Sequence, residues 1–405
     1  MVIVGGGAAG VGAARRLASS GLTTLLLEAG SRLGGRAWTH EIRGLDLDLG
    51  CGWLHSADRN SWAGIAKAAG VRLDQSRAAW GMQYRDLGFP PAEQAAARKT
   101  FGEWMHRLAE SPPSSDCAAD ALVAGNAWNH YVQIIVGFIS GAALERLSAA
   151  DYMAYDEHST EENWRAPTGY GALVARSFPR SVALSLANPV ESLALEPRGV
   201  KLTTRTGTLR ARAVILTVST AVLAADTLKL PAELEPWRAN ARLLPLGHNE
   251  KMFLEITGDS PFERETQLLG DPRNVRTGSY YIRPMDKPVV ECFLGGDGTR
   301  LLTEEGPAAA FAFALDQLAS LFGASVRAVL RPLAASSWAR ETRVGGAYSY
   351  ALPGHAQARA ALARPLEQRV FFAGEATSAD DFSTAHGAHD SGVRAADEVI
   401  ATLKP

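Results

Sequence analysis

The first residues able to do chemistry stand near the beginning of this 405-residue chain, where Gly5, Gly7 and Gly10 form a GxGxxG pattern. Glycines at that spacing allow a tight turn and let backbone N–H groups approach a pyrophosphate at the positive end of a helix. Glu28 closes the next apolar run, where a carboxylate can accept hydrogen bonds from an adenosine ribose. A second cluster, Gly34-Gly35-Arg36, offers a guanidinium to the same phosphates, or else is a loop with a solvated charge. A lone GxGxxG often serves only packing. Strand, glycine turn, helix, strand and acid in that order point to a dinucleotide site.

The elements that must position these groups follow from the apolar pattern. Met1-Val-Ile-Val4 reads as a parallel strand buried on both faces, 11–20 as a helix stopped by Gly21, and 23–27 as a second strand. Residues 61–184 are mostly helical in period, broken at Pro112-Pro113. The apolar run 131–144 is a buried helix; at about fourteen residues it is shorter than the ~20 a bilayer needs. Strands are expected within 182–218 and at 251–257, 278–283, 289–294 and 369–375, with helices at 307–322 and 392–403.

Composition narrows the function classes. Lys and Arg number 41 against 43 Asp and Glu, for a net charge of −2, so no basic excess supports binding to nucleic acid or an anionic membrane. Hydrophobic content of 46% with 21% charged residues is globular. Cys51, Cys117 and Cys292 have neither disulfide-framework nor zinc-site spacing, and no metal is expected. The first residues already read as a strand and 399–405 carries no anchor, so a soluble, cytoplasmic protein is expected.

With Arg32-Leu-Gly-Gly-Arg36 added, the N-terminal pattern resembles the extended fingerprint of FAD-binding flavoproteins rather than that of nicotinamide dehydrogenases. Across essentially the whole chain the residues resemble the flavin-containing amine oxidase family, which includes monoamine oxidases, polyamine oxidases and flavin histone demethylases. Besides the fingerprint, the resemblance rests on Asp48-Leu-Gly-Cys-Gly-Trp-Leu-His55, on Trp338 with Gly345-Gly-Ala-Tyr348-Ser-Tyr350, and on Phe371-Phe-Ala-Gly-Glu375-Ala-Thr377 with Thr384-Ala-His-Gly-Ala388. The ending is its most specific part. It implies an α/β fold: a Rossmann-like FAD-binding domain from 1–75, 182–225 and 337–405, and a discontinuous substrate domain of mixed sheet and helices (α+β) from 76–181 and 226–336.

By position, the resemblance places Gly5, Gly7, Gly10, Glu28, Arg36, Gly52, Trp53, Val190, Trp338, Gly374, Glu375 and Ala385 along FAD. Outside that context Val190, Trp53 and Trp338 read equally as core residues. Tyr348 matches one wall of the family's aromatic cage, while the opposite wall falls on Thr384, leaving a half-cage and a more polar pocket. Lys251 matches the lysine that holds a water at flavin N5. Ala347 stands where some monoamine oxidases attach FAD through cysteine, so FAD is expected to be non-covalent, and Cys51 is expected to be a small buried filler.

The activity implied is hydride transfer from the carbon next to the amine nitrogen to the flavin, giving an imine that hydrolyses to a carbonyl, with oxygen reduced to hydrogen peroxide. His55 is the expected substrate hydrogen-bonding group, or else a structural histidine. No arginine in 51–56 offers to grip a carboxylate, which argues against amino acids and for a polyamine or other alkyl amine. The acidic group Asp156, Glu157, Glu161 and Glu162 reads as a solvated face or as substrate contacts. A histone-demethylase role is disfavoured, since no long helical insertion interrupts the chain. Two other readings stay open: an FAD-dependent desaturase or dehydrogenase of an apolar substrate, and a non-catalytic flavoprotein. The oligomeric state is left open.

Overall fold

The computed structural model describes residues 1–403; Lys404 and Pro405, which end the expected 337–405 segment and the tail read as anchor-free, lie outside the described residues. Five short apolar strands form a parallel sheet in the spatial order Val370–Phe372, Val214–Leu216, Val2–Val4, Leu25–Leu27, Ala183–Ser185. Val2–Val4, Val214–Leu216 and the edge strand Val370–Phe372 are buried at every residue, as helix-covered parallel strands must be. The first strand is central, with its successor Leu25–Leu27 on one side and Val214–Leu216 on the other. The strand order therefore reverses where the glycine turn emerges, which is where open α/β sheets bind ligands.

The helix following that turn, Ala8–Leu17, lies against the final helix, Ala385–Leu403. Glycines set the closeness: a Cβ on Gly12 would fall 2.4 Å from the His389 carbonyl oxygen, and one on Gly392 would fall 2.0 Å from that of Ala9. The closing helix, expected from Gly392, in fact begins at Ala385. Thr384 starts it, its hydroxyl accepting from the Gly387 N–H at 3.0 Å, as an N-cap does for the orphan donors of a first turn. Gly387 and Gly392 lie within the helix as close-approach positions, not as breaks.

A second, antiparallel sheet runs Thr266–Leu269, Gly278–Ile282, Val289–Gly295, Asn249–Ile256, Leu330–Ala335. Alternation divides its faces. Met252, Leu254, Val290, Cys292 and Leu294 are buried in one cluster with Ala310, Ala314 and Leu318 of the helix Pro307–Phe322. The other face carries Lys251, Phe253, Tyr281, Glu291 and Phe293, with Phe253 packed on Leu47 and Leu49. That face looks toward the segment leading into Trp53.

The expected helical stretch is realised as Ser61–Ala68, Pro91–Glu110, Asn129–Ser140, Ala149–His158 and Tyr170–Arg176, but Trp164–Arg165 pairs as a short strand with Trp53–Leu54. The apolar run near 131–144 stops at Ser140 because Gly141 turns left-handed (φ +70°). A Cβ there would lie 2.1 Å from Asn249 Oδ1. Among the described residues no helix is long and apolar enough to cross a membrane. The region 182–218 adds an antiparallel hairpin sheet, Val190–Glu196, Gly199–Thr204 and Gly207–Ala211.

Candidate functional site

The two glycine loops are layered. Gly5 has φ +107°, and Gly10 admits no side chain because a Cβ would lie 1.9 Å from the Gly5 carbonyl oxygen. Gly34 N–H donates to the Gly6 carbonyl at 2.8 Å, and Gly7 bridges Gly34. A Cβ on Gly7 would meet nothing nearer than 3.9 Å, so the start of helix Ala8–Leu17 has an open floor. Glu28 accepts from Gly6 N–H at 2.6 Å and from Gly30 N–H at 2.5 Å, leaving a lone pair on each oxygen for hydroxyl donors. Val190 packs against the core that also buries Leu27, and Asn188 N–H donates to the Glu28 carbonyl at 2.9 Å.

Arg36, expected to face phosphates, is anchored through one of its nitrogens. Its Nη1 donates to the Ala347 carbonyl and to Glu375 Oε1 at 3.0 Å. Glu375 also accepts from Ser349 N–H (3.2 Å), Ser349 Oγ (2.6 Å) and Ser383 N–H (3.0 Å). Burial alone would raise its carboxyl, but Arg36, Arg359 and these donors outweigh burial and hold it below the usual glutamate value. A cavity at the carboxyl ends of Val214–Leu216 and Val370–Phe372 is lined by Arg36, Ser219, Thr220, Gly374, Glu375 and Thr377. Thr220 Oγ1 is buried there without a hydrogen-bond partner, the kind of group a bound ligand satisfies. Open glycine floor, helix N-terminus, ribose-competent carboxylate and orphaned hydroxyl together fit a flavin dinucleotide.

The remaining expected cofactor positions are spread around this cradle. Trp338 is buried, donates from Nε1 to the Leu49 carbonyl at 3.0 Å and meets Trp38 edge-on. Gly374, at φ +140°, donates its N–H to Ser391 Oγ at 2.9 Å. Ala385 opens the final helix and accepts from Trp62 Nε1 at 2.9 Å. Gly52 allows the close approach of Lys251, whose Nζ would lie 3.1 Å from a Cβ there.

Beneath Tyr348 and Ser349 lies a buried polar network that sequence reasoning missed. Arg359 pairs with Asp151 (Nε–Oδ1 2.6 Å, Nη2–Oδ2 2.8 Å), both side chains being 2% exposed. It also donates to Ser349 Oγ at 2.8 Å. Ions Arg36, Glu375, Arg359 and Asp151 are thus linked through one serine. Asp151 and Arg359 are far apart in sequence and belong to no local motif, so no sequence signal announces them.

On the second sheet, Lys251 Nζ lies 2.8 Å from Glu291 Oε1. Burial would lower the lysine, but Glu291, with Asp48, more than offsets it and raises the ammonium above its usual value. Tyr348 donates its hydroxyl to the Phe138 carbonyl at 2.7 Å, and Phe138 packs at 5.8 Å on Phe293, the cross-strand partner of Lys251. Tyr155, also unforeseen, packs on Phe382 at 5.6 Å. Thr384 spends its hydroxyl on the helix start and on the Asp381 carbonyl (2.6 Å).

His55 Nδ1 is 2.7 Å from Asn163 Oδ1. Burial pushes its pKa down to about 4, with His386 and Lys251 adding to the effect against Asn163. The ring is therefore neutral near pH 7, and donation from Nδ1 leaves Nε2 as an acceptor. Trp80, which the motifs did not single out, packs on Trp53 at 4.4 Å and on His55 at 5.7 Å while remaining 40% exposed. Arg165 lies over the Trp53 ring at 4.8 Å and pairs with Asp74 and Glu265. Burial pushes the Cys51 thiol up to about 12, so it is an inert filler. Asp156, Glu157, Glu161 and Glu162 are all exposed.

Aromatic walls, a neutral imidazole acceptor and a paired lysine beside a dinucleotide cradle suit an amine held against a flavin. A family model described as flavin containing amine oxidoreductase matches residues 77–400, and one for an NAD(P)-binding Rossmann-like domain matches residues 3–68. The chain is similar to polyamine oxidase 4 of Oryza sativa subsp. japonica, at 27% identity over 98% of this chain and 88% of that protein. It is also similar to polyamine oxidase 2 of Arabidopsis thaliana, at 25% identity over 98% and 87%. A solved structure of a redesigned putrescine oxidase shares its fold, with a TM-score of 0.76 over 99% of this chain and 98% of that one at 19% identity.

Proposed function

The chain belongs to the flavin-containing amine oxidoreductase family and is an FAD-dependent enzyme, and from that premise we propose that it oxidises a polyamine or other alkyl amine on the face formed by Lys251, Tyr348 and His55. When bound, FAD supplies the hydride acceptor for the carbon next to nitrogen, the imine then hydrolyses to a carbonyl, and oxygen takes the electrons as hydrogen peroxide. Tyr348 presents an aromatic wall that attracts an ammonium and accommodates the neutral amine. His55, kept neutral, accepts a hydrogen bond from a substrate nitrogen. Lys251 holds a proton and orders a water on the reacting face.

What supports this reading is that three separate segments converge: Lys251 acts electrostatically on His55, and Tyr348 is bonded to Phe138, which packs on Phe293, the cross-strand partner of Lys251. The relatives named as polyamine oxidases and the lack of an arginine between Cys51 and Ser56 support the substrate class. Ala347 offers no sulfur for a thioether, so FAD is held without a covalent bond. The parallel sheet draws its strands from 1–75, 182–225 and 337–405, which supports the division into an FAD-binding part and a substrate part made of 76–181 and 226–336. Three unpaired cysteines fit a reducing, cytoplasmic setting.

Anaerobic mixing of the yellow holoenzyme with butylamine, putrescine, spermidine and spermine should bleach the flavin with at least one of them; no bleaching with any sinks the proposal. Lys251→Met should slow bleaching or reoxidation while FAD stays bound, and unchanged rates would remove the lysine from the reaction.

A further inference from the structure

We propose that Glu291 is a positioning residue for the reaction, holding the Lys251 ammonium in place and in its charged form on the reacting face. The proposal rests on the reading in which Lys251 takes part.

The sheet register makes the contact. Lys251 is directly opposite Phe293 on the neighbouring antiparallel strand. Glu291, two residues along, shares the same face as the diagonal neighbour, a separation that long side chains span. The oxygen–nitrogen distance is 2.8 Å, with the side chains only 10% and 20% exposed. The remaining freedom of Lys251 is small: its backbone N–H donates to Ser336 Oγ at 2.8 Å and its carbonyl accepts from Ser336 N–H at 2.8 Å.

Each other charged or titratable group facing this ammonium is already committed or uncharged. Asp48 accepts from the Thr39 hydroxyl (2.5 Å) and from the Tyr170 (3.0 Å) and Gly171 (3.2 Å) N–H groups, and burial raises its carboxyl. Cys51 is a neutral thiol and His55 a neutral imidazole. Lys287, which also faces Glu291, is tied to the Asp46 and Pro167 carbonyls. Glu250, next in sequence, points to the opposite side, where Ser336 Oγ donates to it at 2.5 Å. Glu291 is thus the one carboxylate in ion-pair contact with Lys251 among the described residues. Without its charge, burial becomes the leading influence on the lysine, and burial favours the neutral amine.

The test reads Lys251 directly. Holoenzyme is pulsed with acetic anhydride between pH 7 and 11, and the peptide carrying Lys251 is quantified by mass spectrometry. In Glu291→Gln, labelling should set in at least one pH unit lower than in wild type, a tenfold larger reactive fraction at a given pH below the transition. Glu291→Asp should fall between the two. Coincident wild-type and Glu291→Gln profiles overturn the proposal. Should Glu291→Gln fail to retain FAD, the comparison is made on Glu291→Asp, where the absence of any shift overturns it equally.

Anaerobic bleaching by spermidine, or by whichever of the four amines acts, gives the kinetic arm. Glu291→Gln should show a rate that falls as pH rises through the new transition, and adding it to Lys251→Met should cause no further loss. Additive losses overturn the coupling. A Lys251→Met defect with a Glu291→Gln profile like wild type removes Glu291 alone. Unchanged bleaching in Lys251→Met removes the underlying reading of the lysine as well.

Discussion

Tyr348 is held by its own hydroxyl, which donates to the Phe138 carbonyl, so the ring plane is set before any substrate arrives. A desolvated cation–π contact contributes about 2 kcal/mol. Tyr348→Ala should therefore lower kcat/KM for the best amine by roughly 30-fold, with FAD affinity unchanged; steady-state rates and flavin fluorescence titration check the two halves. A parallel loss of FAD would place the residue in cofactor binding instead. At this scale the sequence was legible where a motif surrounded the residue, as for Tyr348 in Gly345-Gly-Ala-Tyr-Ser-Tyr350. It was silent for Tyr155, Trp80 and Asp151, whose neighbours in the chain have nothing to do with their roles.

The final helix shows how an element positions the site. Its first turn is capped by Thr384, and Gly392 lets it approach helix Ala8–Leu17, whose N-terminus is the proposed phosphate-binding end. Thr384→Ala should cost about 1 kcal/mol as a lost N-cap, read as a lower urea midpoint with an unchanged slope. Gly392→Ala is far more disruptive, because its Cβ would meet the Ala9 carbonyl at 2.0 Å. We expect it to release FAD as well as destabilise the fold, since separating the helices moves the glycine turn. Retention of FAD at wild-type affinity in Gly392→Ala would show that the crossing does not position the cradle. The sequence placed the start of this helix at Gly392, because a close crossing partner is invisible to helical periodicity.

At the scale of the whole molecule, one buried network joins distant segments of the chain through Arg36, Glu375, Ser349, Arg359 and Asp151. The carboxyl of Glu375 is held below its unfolded value of 4.5. Its contribution to stability is therefore full above that value and is lost as pH falls below it through the folded pKa. Holoenzyme should keep FAD down to about that value and shed it in the acid range below, with Glu375→Gln weakening FAD at neutral pH; flavin fluorescence on pH titration measures both. Denaturation in urea at neutral pH should pass all flavin through an ultrafiltration membrane, and colour retained with the protein would contradict the absence of a covalent link at Ala347.

The sequence by itself determined the nucleotide cradle, the buried parallel strands and the family, because glycine permissiveness, apolar run length and an acid at a strand end are local properties that need no partner. Tertiary structure alone decided what each reactive group touches. Arg36 met Glu375, Lys251 met Glu291 and Asp151 met Arg359, and Thr384 became a helix cap. Those outcomes depend on strand register and on how closely two helices cross, and a charge buried far from water takes whichever partner the fold brings within about 3 Å.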